Sequence, residues 1–431
     1  MRRSWLYEFF RIILVFGLRL FHRKFRVVGY ENLKGSEIPT IVVGNHQNAL
    51  LDPLLCCTII SQQLHWLTRS DVFKPGLVSF LLRKVNMLPV YREKDNVADL
   101  RDRNEAIFQQ CYKRLNRGHW ISLFPEGTHK GKKSLNTPLK KGIGRLIIGT
   151  FEANPNLQQI RILSLGLEYS EFFEKDGNFL LRIGQPIVLS KEDYTTANKA
   201  IWANELVAEI SQHLQTVMTD IRNEEYYEEY ITIQDLLHFV NPYNDWHENV
   251  LIYQDMVNSN KFEQPQFLEE LKTFNELSKE LRFSNRIEFD SNQWQFWNTL
   301  RVFVTVPFNL VGKIIFFPIS NFTENFVQTK LKDPLFRNSI RISFKLFFSI
   351  PYIFILAIAF PIFGINYFIG VLILIGTGVF EVRSRMRIDR FKKIIKYKKD
   401  CSQRSTDYSK WKTAQEQCIR QLKEICNEQN K

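Results

Sequence analysis

The chain has 431 residues, of which 45% are hydrophobic and 24% charged, and its formal net charge is +13. That length exceeds one ordinary domain and that apolar share excludes a disordered chain. The positive balance asks for an anionic partner, whether nucleic acid, acidic lipid or a phosphorylated substrate. Thirty-six Phe, fifteen Tyr and eight Trp suit contact with lipid as well as a core.

The placement of charge narrows the choice. Residues 1–26 hold seven Lys/Arg against one acid, 130–145 six against none, and 381–399 nine against two, while 220–290 carries sixteen acids against six bases. Two of the three basic clusters flank apolar segments, which fits a membrane surface better than a duplex groove. No zinc finger, RNA-recognition signature or basic-region zipper occurs, so a nucleic-acid partner is not expected. The six cysteines show neither CxxC nor metal-ligand spacing with His. They predict buried free thiols in a reduced, cytosol-facing protein with no bound metal.

In chain order, residues 1–24 read as an interfacial membrane anchor. The stretch WLYEFFRIILVFGLRLF is apolar around most of a helix, with Arg2, Arg3, Arg11 and Arg19 available to headgroups. A helix packed on the following domain is the alternative. Arg11 and Arg19 interrupt the run, so it lacks the pattern of a cleaved signal peptide. From 25 to 215 short apolar runs alternate with helical stretches. The expected strands are Thr40–Val43, Leu64–Leu67, Met87–Val90, Ile121–Phe124, Ile160–Leu167 and Phe179–Ile183; the clearest helices are Pro53–Gln62 and Asp99–Leu115. This alternation predicts an α/β sheet layered with helices, with ligands beyond the carboxyl ends of the strands.

Residues 216–292 read as a helical acidic region in which EEYYEEY (224–230) is solvated, and 293–336 as interfacial apolar helices. Residues 346–380 contain no charged side chain. As one helix they would span roughly 52 Å, well beyond a hydrocarbon core of about 30 Å. Pro361 and Gly364-Ile365-Asn366 supply turn chemistry near the midpoint. A membrane hairpin over 337–390 follows, with halves short for a full crossing. Its basic flanks place both ends, and the catalytic domain, on the cytoplasmic side. Residues 391–431 form a basic tail.

Two constellations carry chemistry. Gly44-Asn45-His46-Gln47-Asn48 follows a strand and leads to Asp52-Pro53. An imidazole at a strand end can take a proton from a hydroxyl near neutral pH, and Asp52 can orient it. Asp52 before Pro53 is equally suited to capping a helix. The second constellation is Phe124-Pro125-Glu126-Gly127-Thr128-His129, where a carboxylate and flexible backbone N–H groups meet a cleft. The cations from Lys130 to Arg145 read as a solvated basic surface, of which one or two could hold phosphate.

Together, and with Arg92 in Leu88-Pro89-Val90-Tyr91-Arg92, these motifs resemble the glycerolipid acyltransferase family, the glycerol-3-phosphate and 1-acylglycerol-3-phosphate O-acyltransferases. Phe124–Thr128 matches that family's third motif letter for letter. The resemblance covers roughly residues 25–215. It implies His46 and Asp52 as the catalytic pair and Arg92, Glu126, Gly127 and Thr128 as acceptor-binding residues. It also implies an acyl-CoA or acyl carrier protein donor, a phosphorylated glycerol acceptor and no further cofactor. Five residues separate His46 from Asp52 where the family usually has four, a spacing resembling one branch of it, to which Asp333-Pro334 is also similar. Ser164, in Ile162–Leu167, stands where the fourth motif usually has proline. A lysophospholipid transacylase or remodelling enzyme, or an inert lipid-binding protein on the same fold, are the alternatives.

Overall fold

The computed structural model describes all residues except 1–4, 22–23, 35–36, 74–75, 173–176, 196–197, 332 and 428–431. Two compact units result: the chain up to Thr219 together with Asp333–Ile340, and the chain from Asp220 onward without that segment. Arg2 and Arg3 lie outside the described residues.

The first unit is an eight-stranded sheet. Its strands are β1 (Phe25–Val28), β2 (Thr40–Gly44), β3 (Leu64–Arg69), β4 (Met87–Val90), β5 (Trp120–Leu123), β6 (Gln159–Tyr169), β7 (Phe179–Ile183) and β8 (Ile187–Ser190). Their order is β1-β7-β6-β2-β5-β3-β4, with β8 on β6. All six expected strands are present; β1 and β8 are additional, and neither is buried along its length as a core strand is. The helices are α1 (Trp5–Phe21), α2 (Leu51–Ile59), α3 (Leu77–Lys84), α4 (Leu100–Leu115), α5 (Gly142–Ala153), α6 (Lys191–Thr195) and α7 (Lys199–Val217). A helix intervenes at each step from β2 through β6, as parallel neighbours require. Thus β2 lies between β5 and β6 and runs parallel to both.

That position explains the composition of β2, Thr-Ile-Val-Val-Gly, buried at every residue. Ile41, Val43, Ile121 and Leu123 pack with Ile143, Leu146 and Ile147 of α5 and with Ile210 and Leu214 of α7. Burying each such side chain stabilises by about 1.5–3 kcal/mol. Gly166 on β6 has no alternative: a Cβ there would lie 1.8 Å from the carbonyl oxygen of Val217.

Helix α1 is two-faced. Tyr7, Leu14, Leu18 and Phe21 are buried, and the Tyr7 hydroxyl accepts the Leu64 N–H at 3.3 Å. Trp5, Phe9, Ile12 and Phe16 form an exposed apolar stripe at helical spacing. The packed-helix reading and the exposed apolar face are therefore both present. Arg11 is engaged by Glu8 at 2.6 Å and is not free for headgroups.

The second unit is helical: α8 (Tyr227–Val240), α9 (Trp246–Asn258), α10 (Pro265–Leu281), α11 (Asn285–Asn292), α12 (Phe296–Ile315), α13 (Phe317–Lys330), α14 (Pro334–Ala357, whose first turns belong to the first unit), α15 (Tyr367–Gln403) and α16 (Ser405–Asn427). A core of Leu236, Leu237, Tyr253, Leu271, Phe274, Trp411 and Leu422 joins α8, α9, α10 and α16. The expectation that 224–230 is solvated fails at Glu229 and Tyr230. Both are buried on α8, and Asn275 donates to the Glu229 carboxylate at 3.0 Å.

Helices α14 and α15 are long and apolar enough to cross a membrane. They run 24 and 37 residues because the helices continue past the uncharged stretch into its basic flanks, so neither half is short. The turn lies at Gly364, in the left-handed region at φ 73, and Asn366 caps α15 by accepting the Phe368 N–H at 2.9 Å. Helices α12 and α13 meet at a 70° bend.

Candidate active site

Parallel neighbours release their loops at the same edge of a sheet. Val43 pairs with Leu123, so the chain leaves β2 as Asn45-His46 beside the chain leaving β5 as Phe124-Pro125-Glu126. On the other flank, Asn45 extends the ladder to β6, donating to the Leu167 carbonyl at 3.0 Å and accepting its N–H at 2.7 Å. His46 is thereby held from both sides.

The His46 Nδ1 lies 2.8 Å from Asp52 Oδ2. Asp52 is fully buried, and the same oxygen accepts the Gln47 and Asn48 N–H groups at 2.9 and 2.8 Å, while Tyr169 donates its hydroxyl to Oδ1 at 2.6 Å. The structure separates two roles that the sequence left open. Leu50, not Asp52, is the N-cap of α2, and Asp52 at the second helical position gathers the preceding loop and the imidazole together. Burial, then the charge of Asp52, pushes the Tyr169 hydroxyl well above its ordinary range, so it remains a donor. With its oxygens accepting from three other groups, Asp52 fixes the proton on His46 Nδ1 and leaves Nε2 as the acceptor. The Phe124 ring stacks on the imidazole at 4.3 Å, within 7° of parallel.

Glu126 is also buried, but it grips backbone. Its oxygens accept the N–H groups of His46, at 2.5 Å, and of Asn136, at 2.8 Å. Burial pushes its carboxyl up to about 7 against those two hydrogen bonds. The Gly127 N–H closes a turn onto the Phe124 carbonyl at 3.1 Å, at φ 71, and Thr128 is exposed. In the basic stretch, Lys133 forms a buried pair with Glu168 and is not a surface cation.

Arg92 belongs to a neighbouring cluster. Its guanidinium meets Asp95 at 3.0 Å and Asp71 at 3.3 Å, and Asp71 also holds Arg69 at 2.5 Å. These residues line an open cavity of about 510 Å³. Among the described residues, no hydrogen bond or ion pair joins Arg92 to His46, Asp52 or Glu126. Beside His46 stands the last residue of the second constellation, to which sequence reasoning gave no role. His129, 5.4 Å from His46 between ring centroids, bonds through Nε2 to Asp333 Oδ2 at 2.9 Å. Burial works against the Asp333 carboxylate, yet the His129 and Leu335 hydrogen bonds and the charges of His129 and Arg69 hold it below its ordinary value. Asn338 and Asn48 both donate to the Phe172 carbonyl, at 3.4 and 3.3 Å, which seats residues 333–340 by the same loops.

With this geometry established, comparison with known proteins is informative. Residues 24–167, within the α/β unit, match the family model Acyltransferase. Among curated proteins, chloroplastic 1-acyl-sn-glycerol-3-phosphate acyltransferases of Arabidopsis thaliana and Brassica napus are 24% and 25% identical over 170 and 172 residues. Each alignment takes in 39% of this chain, and the chain covers 45% and 46% of those relatives. The crystal structure of a 1-acyl-sn-glycerophosphate acyltransferase, PlsC, from Thermotoga maritima overlaps 47% of this chain and 79% of its own, at 20% identity and a TM-score of 0.33.

Proposed function

We propose that this protein transfers a fatty acyl group from acyl-CoA or acyl carrier protein to a hydroxyl of glycerol 3-phosphate or 1-acylglycerol 3-phosphate, working at a membrane in phospholipid synthesis. The observation that carries this reading is the His46–Asp52 pair at 2.8 Å, its carboxylate fully buried, set at the carboxyl edge of the sheet. His46 Nε2 takes the proton of the acceptor hydroxyl. The oxygen then attacks the thioester carbonyl, and the tetrahedral intermediate collapses to ester and thiolate, which recovers the proton from His46. Asp52 stabilises the imidazolium between these steps.

Glu126 serves this chemistry by fixing the backbone of His46, a role one step removed from the acceptor-binding one the resemblance implies. Arg92 and Arg69 are the cations closest in character to a phosphate site, and an incoming phosphate would compete with Asp71 for them. An inert lipid binder would have no reason to keep an oriented base, which favours catalysis.

The membrane reading rests on α14 and α15 and on the exposed apolar faces of α1 and α12. Basic flanks at Arg337 and Arg385 support a topology with both hairpin ends on the cytoplasmic side. Single cysteines introduced as Arg337→Cys and Arg385→Cys, in a background without native cysteines, should label together with an impermeant thiol reagent. Opposite-side labelling would leave a single crossing.

The deciding assay is purified protein with labelled acyl-CoA against a panel of acceptors. Ester formation that requires a phosphorylated glycerol and is lost in His46→Ala supports the proposal. Acyl transfer from a phospholipid but from no thioester would make the protein a transacylase.

A further inference from the structure

The edge of the sheet opposite His46 holds a guanidinium and two imidazoles that the acyl-transfer reading does not use. His65 is the second residue of β3, and it is 4% exposed with no hydrogen-bond partner at either ring nitrogen. His119 precedes β5, and its ring meets that of His65 edge-on at 4.8 Å between centroids. Arg114, in the last turn of α4, accepts the His119 N–H on its carbonyl at 3.0 Å, and its Nη1 is buried without an acceptor. No ion pair is formed by Arg114 or His119 among the described residues. The charges that bear on the imidazoles are other cations: burial, then Arg114 and His119, pushes His65 down to about 3. His119 is lowered by burial and then by Arg114 and Arg117.

Such an arrangement is costly as it stands. A half-buried guanidinium without a counter-charge loses hydration, and the two neutral imidazoles beside it, each with one N–H and one bare nitrogen, supply no negative charge. The carboxyl end of α4 helps only in part, since the helix-end field is modest and the free Nη1 still lacks an acceptor. Water would satisfy geometry but leave the charge. An oxyanion would satisfy both, because it offers several acceptor oxygens to a guanidinium fork and to imidazole N–H groups at once. His119, Arg114 and Asn116 are only half-buried, so solvent reaches this cluster.

We propose that His65, Arg114 and His119 form a binding site for a small phosphate-class oxyanion at the amino-terminal edge of β3 and β5, separate from the catalytic edge. The site stands independently of the acyl-transfer reading. Its occupant is free inorganic phosphate or the phosphate of a monoester.

The test is calorimetric titration of the full chain in detergent with inorganic phosphate and, separately, phenyl phosphate, at ionic strength matched with chloride. The wild type should bind phosphate in preference to chloride. Arg114→Gln and the milder His119→Gln should each weaken binding about tenfold or more, as loss of a charge-assisted bond implies. Lys272→Ala, a half-exposed cation on α10, should bind like the wild type. Tight binding of phenyl phosphate as well would point to a monoester, and binding of inorganic phosphate alone to the free ion. Unchanged affinity in both pocket variants, each with a normal thermal melt, overturns the site. So does a wild type that shows no preference over chloride, since the groups are then merely hydrated.

Discussion

Two loops at the same edge of the sheet are built from the same chemistry, carboxylate against cation, and differ in burial. After β2, Asp52 is fully buried, His46 is mostly so, and every oxygen of Asp52 has a donor. After β4, Arg92 divides its guanidinium between Asp95 and a half-exposed Asp71 that Arg69 also holds. Buried, a hydrogen-bonded pair becomes a fixed geometry, because leaving any member unpaired is expensive. Near solvent the same kind of pair is worth about 0–1 kcal/mol and can be exchanged for another anion. One loop is suited to holding a base at an angle and the other to releasing a guanidinium to a phosphate.

The comparison breaks most sharply at His46. His46→Ala in folded protein should lower kcat by about 10² or more with little change in substrate affinity, since a general base acts in the chemical step. Near-normal turnover would reduce the buried pair to a structural role. Arg92→Ala should act on binding instead, raising the KM for the phosphorylated acceptor about tenfold and leaving that of the acyl donor nearly unchanged. An equal rise in both would assign Arg92 to structure. Asp71→Asn sharpens the contrast in the other direction. It frees Arg92 and Arg69 from a competing carboxylate, so acceptor KM should fall, by no more than about fivefold for an exposed pair. A rise would show that Asp71 positions the guanidinium rather than masking it.

The difference between the two loops was partly legible in the sequence. His46 and Asp52 lie within one turn of chain, and their pairing needs only a loop that folds back at a helix start. Asp71 and Arg92 come from different strand ends, and their meeting depends on β3 lying beside β4. Glu126 shows the limit most clearly. Its motif was recognisable, but its grip on the His46 backbone follows from β2 lying beside β5, across 80 residues of chain. Tyr169 escaped for a smaller reason: β6 runs two residues past the expected end at Leu167, which brings its hydroxyl to Asp52. Asp333 reaches His129 across 204 residues, a separation at which no local pattern could pair them.

The smallest effect on turnover and the most specific signature belong to Glu126. Burial raises its carboxyl from 4.5 to about 7, so the folded protein holds this proton more tightly than the unfolded chain does. Between those two values the native state binds more protons, and stability falls as pH rises. The contribution is fully present below about pH 4.5 and is lost as pH passes through about 7. Glu126→Gln cannot ionise and should flatten that part of the profile, measured as Tm against pH in detergent. Above about pH 7 it should also lower stability, because an amide offers one acceptor where the carboxylate serves both His46 and Asn136. His46→Ala keeps the backbone N–H that Glu126 accepts and should retain the wild-type slope. A Glu126→Gln profile as steep as the wild type's would mean that another buried group titrates in this window and that Glu126 stays ionised in its two hydrogen bonds.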